Sequence, residues 1–266
     1  MFYVCREWGI LVFYMKSNIK LSNISKHFNH IIALDNVSLE AFNGEVLALV
    51  GDNGAGKSTL IKILSGVLRP DSGIIEIDGK KYSHLNVREA FELGISTVYQ
   101  DLALGDSMDV ASNIFLGSEI TKHGLLDKKA MHRQTNELLK RLKINIPDTK
   151  VNVGNLSGGQ RQGVAVARLV NRGGNILIFD EPTAAMGINE SNRTLELIRH
   201  LADEGFTVIM ISHNLMQVFQ VADRIVVLRH GCALLEEKVE DISMKEVVEV
   251  LTSADIYNNA NKRNEI

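Results

Sequence analysis

A glycine-rich segment at residues 51–59 carries the residue types best suited to bind phosphate groups. It reads Gly-Asp-Asn-Gly-Ala-Gly-Lys-Ser-Thr and matches the pattern GxxxxGK[ST]. Glycines let the backbone curl so that successive N–H groups point at phosphate oxygens, and a helix that follows adds the positive end of its dipole. Lys57 supplies a charge for the β- and γ-phosphates, Ser58 offers a hydroxyl to Mg²⁺, and Thr59 contacts the α-phosphate side. The predicted nucleotide-binding residues of this phosphate loop are Gly51, Asp52, Asn53, Gly54, Ala55, Gly56, Lys57, Ser58 and Thr59.

Two adjacent carboxylates, Asp180 and Glu181, follow an apolar run that is typical of a buried strand. In a parallel α/β sheet, ligands bind beyond the carboxyl ends of the strands. Asp180 is therefore predicted to bind the metal ion near Ser58, and Glu181 to reach the water that attacks the γ-phosphate. A positioned base contributes about 10²–10⁴ in rate. The pair, together with the phosphate loop, predicts hydrolysis as well as binding.

A third segment reads Leu-Ser-Gly-Gly-Gln at residues 156–160 and opens a predicted helix. Ser157 offers a hydroxyl, and Gly158 and Gly159 offer backbone N–H groups, at the positive end of that helix. With Gln160, these residues predict a second cradle for an anion.

Strands and helices must bring these segments together. Residues 19–42 alternate in short strand-like pieces, and apolar strands alternate with helices after residue 170. Between them, from residue 101 to about 170, strand signals give way to helical ones. Alternation of continuous apolar strands with helices indicates a parallel sheet covered by helices. The predicted fold class is α/β, with a helical insertion in the core.

The two ends of the chain depart from this pattern. Residues 1–15 are predicted to be a leader outside the fold, because the domain pattern begins at the second methionine, Met15. Their apolar run at 9–14 is far shorter than the roughly 20 residues of a membrane-spanning helix, so no membrane span is predicted there. Residues 253–266 are predicted to be a polar tail. The ATPase domain is predicted over residues 16–252, with its helical subdomain at about 101–170.

Composition limits the classes of partner and the cellular setting expected for the chain. A net charge of −3 over 266 residues gives no general attraction to nucleic acid or anionic lipid. Cys5 and Cys232 match no metal-ligand spacing, and a reducing, cytoplasmic setting suits them. The sequence predicts no membrane span, so another polypeptide would form any path across a membrane.

The order of the phosphate loop, Gln100, Leu-Ser-Gly-Gly-Gln, Ile-Phe-Asp-Glu-Pro and His213 resembles the ABC ATPase family over residues 19–251. The resemblance implies a P-loop NTPase core with a mostly parallel sheet, an antiparallel β subdomain and a helical insertion subdomain. It implies ATP and Mg²⁺ as cofactors. It also implies a homodimer, or a pairing with a related ATPase subunit, in which each ATP lies between the phosphate loop of one chain and residues 157–160, the signature segment, of the other.

Three more site residues are implied by the resemblance. Gln100 matches the glutamine that joins the core to the helical insertion and senses Mg²⁺ and the γ-phosphate. His213 matches the histidine that contacts the γ-phosphate and holds the transition-state geometry. Phe28 matches the aromatic residue that stacks on adenine, and His27 and His30 are the alternatives for that role.

The segment Ala185-Met186-Gly187 departs from most ABC ATPases, which have Ser-Ala-Leu-Asp there, so contacts that couple the two ATP sites are expected to differ. This segment, with residues 99–104 and 113–117, is similar to bacterial importer ATPases for fructose- or ribose-type monosaccharides. That similarity implies transmembrane permease subunits as partners, a solute-binding protein indirectly, no nucleic acid, and a peripheral location on the cytoplasmic face of the inner membrane. The alternatives are a transporter for another solute, an exporter, or a non-transport ABC protein.

Overall fold

The computed structural model describes residues 17–99, 101–184 and 186–253. The predicted leader and the predicted tail after residue 253 lie outside the described residues, as do Gln100 and Ala185. The strands are β1 (Ser17–Phe28), β2 (Ile31–Phe42), β3 (Val46–Val50), β4 (Ser72–Ile77), β5 (Lys80–Tyr82), β6 (Ile95–Val98), β7 (Thr121–Lys122), β8 (Leu125–Leu126), β9 (Ile176–Asp180), β10 (Thr207–Ile211), β11 (Arg224–Arg229) and β12 (Cys232–Lys238). The helices are α1 (Lys57–Leu64), α2 (Val87–Glu92), α3 (Val110–Phe115), α4 (Lys128–Arg141), α5 (Gly158–Asn171), α6 (Ile188–Asp203), α7 (Leu215–Val221) and α8 (Met244–Thr252).

A central sheet with the strand order β12-β11-β3-β10-β9-β6 positions the predicted site residues. Its strands pair in parallel, except for β12, which pairs antiparallel with β11 at one edge. In β9, Ile176 and Ile178 pack into one core while Leu177 and Phe179 pack into another, because successive side chains of a strand point to opposite faces. Burial of both faces explains why these strands read as continuous apolar runs.

A second, antiparallel sheet has the order β2-β1-β4-β5 and shares its core with α1 and one face of the central sheet. The sequence predicted short strand-like pieces here, but β1 and β2 are strands of 12 residues each. Their pairing contains register shifts, and Asn23 and Asn36 have φ of 53° and 50°. Because each irregularity interrupts the period-2 pattern, two long strands look like several short ones.

The helical insertion packs α3, α4 and α5 against the other face of the central sheet. Asn113 is fully buried, and its side-chain amide bonds to the backbone of Gly105, Met108 and Asp109. Arg168 of α5 donates to the carbonyls of Leu102 and Ala103 at 2.8 and 2.9 Å. These bonds tie the start of the insertion to the helix that follows the signature segment.

Three short or exposed strands were absent from the sequence pattern. β7 and β8 form a hairpin of two residues on each side within the insertion, which is too short to give a periodic signal. β12 has no fully buried residue, so its sequence lacks a continuous apolar run. Within the described ranges, no helix is long and apolar enough to cross a membrane.

Candidate active site

The phosphate loop connects the buried strand β3 to α1. Gly56 precedes the helix with φ of 107°, and no side chain caps the helix N-terminus. A Cβ on Gly56 would lie 2.5 Å from the Ala33 carbonyl oxygen, and one on Gly51 would lie 2.1 Å from that of Leu228. Only glycine fits at both positions. The first N–H groups of α1 therefore remain available to an anion, as the sequence pattern predicts.

Lys57 is the first residue of α1 and is buried. Its Nζ donates to the carbonyl oxygens of Gly51 at 2.6 Å and Asp52 at 2.9 Å. Burial lowers the pKa of the Lys57 ammonium, and the carboxylates of Glu181, Asp52 and Asp180 act in the opposite direction. A buried cation whose hydrogen bonds, among the described residues, go to loop carbonyls is well placed to bind the phosphates of an entering nucleotide.

A cleft of about 360 Å³ extends from the phosphate loop to the acidic pair. It is lined by residues 53–59 of the loop, by Asp180, Glu181 and Ile211, and by residues 31–33 of β2. The Ser58 hydroxyl and the Asp180 carboxylate thus face the same space. This donor set fits Mg²⁺, which is usually held by one or two protein oxygens together with substrate phosphates and water.

The acidic pair lies at the carboxyl end of β9. Burial raises the pKa of Asp180, and the neighbouring Glu181 carboxylate raises it further, while Lys57 and Lys62 lower it. Glu181 has φ of 49°, and its N–H donates to the Ile211 carbonyl of the adjacent strand at 3.1 Å. Left-handed backbone at a non-glycine residue is uncommon and concentrates at functional sites. Here it turns the Glu181 side chain into the cleft.

His213 follows β10 and reaches the acidic pair. Its Nδ1 lies 2.9 Å from the Glu181 carboxylate, and because a carboxylate only accepts, the Nδ1–H donates. The strands that precede the phosphate loop, Glu181 and His213 are the adjacent β3, β9 and β10, whose carboxyl ends share one edge of the sheet. The structure therefore brings the phosphate loop, Asp180, Glu181 and His213 together. Gln100, which is predicted to sense Mg²⁺ and the γ-phosphate, lies outside the described residues.

Residues 34–184, which include the phosphate loop, the signature segment and the acidic pair, match the family described as ABC transporter. The chain belongs to the ABC transporter family. This ABC protein is 46% identical over 239 residues to the xylose/arabinose import ATP-binding protein XylG of Sulfolobus acidocaldarius, covering 90% of this chain and 95% of that protein. It is 44% identical over 237 residues to the fructose import ATP-binding protein FrcA of Rhizobium meliloti, covering 86% and 91%. Against the ribose import ATP-binding protein RbsA of Yersinia pestis the identity is 39%, with 93% of this chain and 49% of that protein covered, so the chain spans about half of that relative.

Solved ABC cassettes have the same fold. An ATP-binding cassette of an ABC transporter in its ADP conformation aligns with a TM-score of 0.75 and 25% identity over 91% of this chain and 98% of that chain. A dimeric cassette in a post-hydrolysis state bound to ADP and Pi aligns with a TM-score of 0.68 and 28% identity over 83% and 98%. The predicted ABC ATPase fold is confirmed, and this ABC protein is a nucleotide-binding ATPase.

The signature segment of this ABC ATPase begins α5 with a capping box. The Ser157 hydroxyl accepts from the Gln160 N–H at 3.4 Å, and the Gln160 side chain accepts from the Ser157 N–H at 3.1 Å. A Cβ on Gly158 would come no closer than 3.6 Å to another residue, the Glu190 carboxylate. Ser157, Gly159 and Gln160 line a separate cleft of about 370 Å³ between α5, α6 and residues 142–145, which follow α4. Among the described residues, none lines both this cleft and the phosphate-loop cleft.

Phe28 ends β1 and pairs with Ile31 across the hairpin turn. It is 42% exposed, and its neighbours Ile31 and Ile32 line the mouth of the phosphate-loop cleft. His27, one alternative for base stacking, directs its ring Nδ1 to the Asp71 carboxylate at 3.3 Å. The sequence did not predict that these two isoleucines line the cleft. Two adjacent isoleucines directly after a turn are a pattern that could have indicated it.

Sequence reasoning also missed a link between the atypical segment after the acidic pair and the signature helix. The buried Thr194 hydroxyl of α6 donates to the buried Gln162 side chain of α5 at 2.9 Å and lies 3.7 Å from the Met186 sulfur. Ala185, in the same atypical segment, lies outside the described residues. The Thr194–Gln162 bond joins positions 32 apart, and no local motif predicts it.

Proposed function

We propose that this ABC ATPase couples ATP hydrolysis to import of a monosaccharide through a membrane permease. The observation that carries the hydrolytic part is the position of Glu181, whose carboxylate lines the phosphate-loop cleft and accepts a hydrogen bond from His213. The transport part is supported by relatives named as xylose/arabinose and fructose import ATP-binding proteins, of which 95% and 91% are covered.

The phosphate loop binds the triphosphate of ATP through its backbone N–H groups and the Lys57 ammonium. Lys57 exchanges its bonds to the Gly51 and Asp52 carbonyls for phosphate oxygens. Ser58, Asp180 and Gln100 would hold Mg²⁺, and the ion would supply positive charge against the phosphate oxygens. Phe28 stacks on the adenine at the mouth of the cleft.

Glu181 is the general base for hydrolysis. It takes a proton from water as the water oxygen bonds to the γ-phosphorus, and the bond from that phosphorus to the bridging oxygen of ADP breaks. The products are ADP and inorganic phosphate. His213 orients the Glu181 carboxylate through its Nδ1–H and contacts the γ-phosphate in the closed state. This base accounts for about 10²–10⁴ of the rate, and positioning with charge neutralisation supplies the rest.

The reaction takes place between two ATPase chains. The signature segment lines a different cleft from the phosphate loop of its own chain. A second chain, identical or related, can bring its signature segment to the γ-phosphate instead, so that two ATP molecules lie at the interface. A dimeric neighbour structure bound to ADP and Pi supports this arrangement.

The assembly places this subunit at the cytoplasmic face of the inner membrane. Transmembrane permease subunits form the path for the sugar, and a solute-binding protein delivers the sugar to them. The sugar itself does not contact the ATPase, so its identity must come from the other subunits.

Glu181→Gln tests the hydrolytic site. The variant should bind ATP, lose turnover by about 10²-fold or more, and accumulate as an ATP-bound dimer, because the amide keeps the shape of the base but cannot take the proton. Nucleotide titration, phosphate release and size-exclusion chromatography measure the three outcomes. Glu204→Gln, at a surface carboxylate paired with Arg141, is the matched control and should behave as the parent chain. Near-normal turnover by Glu181→Gln would show that another group is the base.

Reconstitution with the permease and solute-binding protein tests the transport part. A monosaccharide should stimulate ATP hydrolysis several-fold in vesicles that contain all subunits. Copurification of ribosomes or nucleic acid instead of a membrane protein would contradict import, while leaving the ATPase site unaffected.

A further inference from the structure

A lysine ammonium lies over the ring of Phe28. The Lys26 Nζ is 5.6 Å from the ring centroid, and the two residues are separated by one position in β1. The Lys26 side chain is only 15% exposed, whereas Phe28 keeps 42% of its surface open. One side of the ring therefore carries a cation, and aromatic surface remains accessible elsewhere on the ring.

Asp71 holds this lysine in place. Its carboxylate accepts from the Lys26 Nζ at 2.7 Å and from the His27 backbone N–H at 2.7 Å. The Asp71 N–H in turn donates to the Ser25 carbonyl at 2.9 Å. The Lys26 hydrogen bond, followed by that of the His27 N–H, lowers the pKa of Asp71 to about 2. The carboxylate is thus ionised throughout the physiological range. It accepts from Lys26 and His27, and the Asp71 backbone N–H adds a bond to Ser25, so Asp71 contacts three consecutive residues of β1.

We propose that Lys26 and Asp71 are positioning residues for nucleobase binding: Asp71 fixes Lys26 against one face of the Phe28 ring, and the fixed ring stacks its other face on the base. This inference rests on the proposed function, in which Phe28 binds adenine. Phe28 is the last residue of β1 and precedes a turn in which Asn29 has φ of 53°. An exposed ring at a strand end is free to change rotamer, and a ring already held in its binding orientation loses less entropy on stacking.

The two residues carry opposite charges, which separates positioning from simple electrostatics. Removing Lys26 takes a positive charge away from a polyanionic ligand, whereas neutralising Asp71 takes a negative charge away. Electrostatics alone would therefore change phosphate affinity in opposite directions. Loss of ring positioning would weaken binding in both variants, and only for ligands that contain a base.

The test measures dissociation constants of Lys26→Met and Asp71→Asn for a non-hydrolysable ATP analogue and for tripolyphosphate, which has no base. Each variant should bind the analogue about two- to fivefold more weakly, as expected for loss of one exposed cation–π contact, and bind tripolyphosphate as the parent does. Lys26→Arg should restore analogue binding, because a guanidinium also pairs with Asp71 and stacks on an aromatic ring. Lys20→Met is the matched control, since Lys20 lies in the same strand and pairs with Glu40 away from Phe28.

Phe28→Ala, measured in the same titrations, separates this inference from the proposed function. Weaker analogue binding by Phe28→Ala with parent-like binding by Lys26→Met and Asp71→Asn would overturn the positioning role and leave base stacking intact. Unchanged binding by Phe28→Ala would remove the stacking role of Phe28 and this inference with it. Weaker binding by Lys26→Met and tighter binding by Asp71→Asn, equal for the analogue and for tripolyphosphate, would assign the effect to charge and also overturn the inference. Circular dichroism and thermal unfolding confirm that each variant is folded.

Discussion

The phosphate loop and the signature segment are both glycine-rich turns that open a helix, yet the chain constrains them to different degrees. At Gly51 and Gly56 a Cβ would approach backbone oxygens to 2.1 and 2.5 Å. At Gly158 the nearest atom would be a Glu190 carboxylate oxygen at 3.6 Å, which is ordinary van der Waals contact. The chain itself requires glycine in the first loop and leaves room for a side chain in the second.

The helix caps differ in the same way. No side chain caps α1, so its first N–H groups are open to phosphate, whereas α5 begins with the reciprocal Ser157–Gln160 capping box. The phosphate loop thus keeps its first helical N–H groups uncapped within one chain. In the signature segment, by contrast, the start of the helix is already capped. Its own chain leaves space beside the glycines, so a small residue is needed there only when another molecule lies against the segment. This contrast supports the proposal that a second ATPase chain completes the site.

Lys57→Ala and Ser157→Arg should cause the largest losses of ATP turnover, and the two variants should lose it for different reasons. Lys57→Ala removes the buried cation of the phosphate loop, so the monomer should lose most of its nucleotide affinity. Ser157 is exposed in the single chain, so Ser157→Arg should leave monomer binding intact. Its side chain would collide with the partner's ATP on closure, and turnover should fall by about 10²-fold or more, as when one transition-state donor is lost. Nucleotide titration of dilute monomer and phosphate release at high chain concentration distinguish the two.

Ser243→Arg is the matched control for Ser157→Arg. Ser243 caps α8 with the same kind of capping box, formed with Glu246. Both arginine variants should lose about 1 kcal/mol from the cap, but Ser243→Arg should keep its turnover. Loss of nucleotide binding by the Ser157→Arg monomer would mean that the two loops are not independent within one chain.

The parts of this site that the sequence predicts are local. The phosphate loop and the Asp180–Glu181 pair each occupy a few consecutive residues, and β9 and β10 read as strands because both of their faces are buried. The 2.9 Å contact between Glu181 and His213 spans 32 positions, and only the family resemblance pointed to His213.

Gly56→Ala and Gly158→Ala extend the comparison to stability. Gly56→Ala forces a Cβ onto the Ala33 carbonyl at a φ of 107°, so it should destabilise the fold by on the order of 3 kcal/mol and abolish nucleotide binding. Gly158→Ala lies at the first position of α5 with free space, so stability should stay within about 0.5 kcal/mol of the parent. Its turnover should nevertheless fall, because the added methyl group faces the partner. Denaturant unfolding without nucleotide measures the stability difference. If Gly158→Ala were as unstable as Gly56→Ala, the two loops would not differ in how strongly the chain itself requires glycine.

The features that the sequence did not predict depend on tertiary contacts. The Lys26–Asp71 pair joins positions 45 apart, and the Thr194–Gln162 hydrogen bond joins positions 32 apart. The bulges in β1 and β2 depend on how the two strands pair, and β12 is held as a strand by β11. In each case the conformation depends on a residue or strand elsewhere in the chain, and no local residue pattern identifies that residue or strand.

The smallest predicted effect concerns Asp180, where the phosphate-loop cleft places a carboxylate in a partly buried position. Because burial and Glu181 raise its pKa above the ordinary value of 3.8, the folded state binds this proton more tightly than the unfolded state does. The Asp180 contribution to stability therefore declines as pH rises from 3.8 through the raised pKa, and its full cost is present at neutral pH. Asp180→Asn should raise the stability of the nucleotide-free chain at pH 7 by less than about 1 kcal/mol after solvent screening, and hydrolysis should fall because the proposed metal ligand is lost.

Thermal unfolding in the presence of a metal chelator between pH 8 and pH 4 checks the sign of this effect. The advantage of Asp180→Asn should be constant at the alkaline end and shrink as the parent carboxyl takes up its proton. Glu190→Gln, beside the signature segment, is the paired variant, and we expect its stability to stay within about 0.5 kcal/mol of the parent throughout. A stabilised but inactive Asp180→Asn would show that the phosphate-loop region gives up stability for function. A destabilised Asp180→Asn at neutral pH would instead mean that attraction to Lys57 outweighs the burial of the carboxylate, and the two loops would then differ in steric constraint alone.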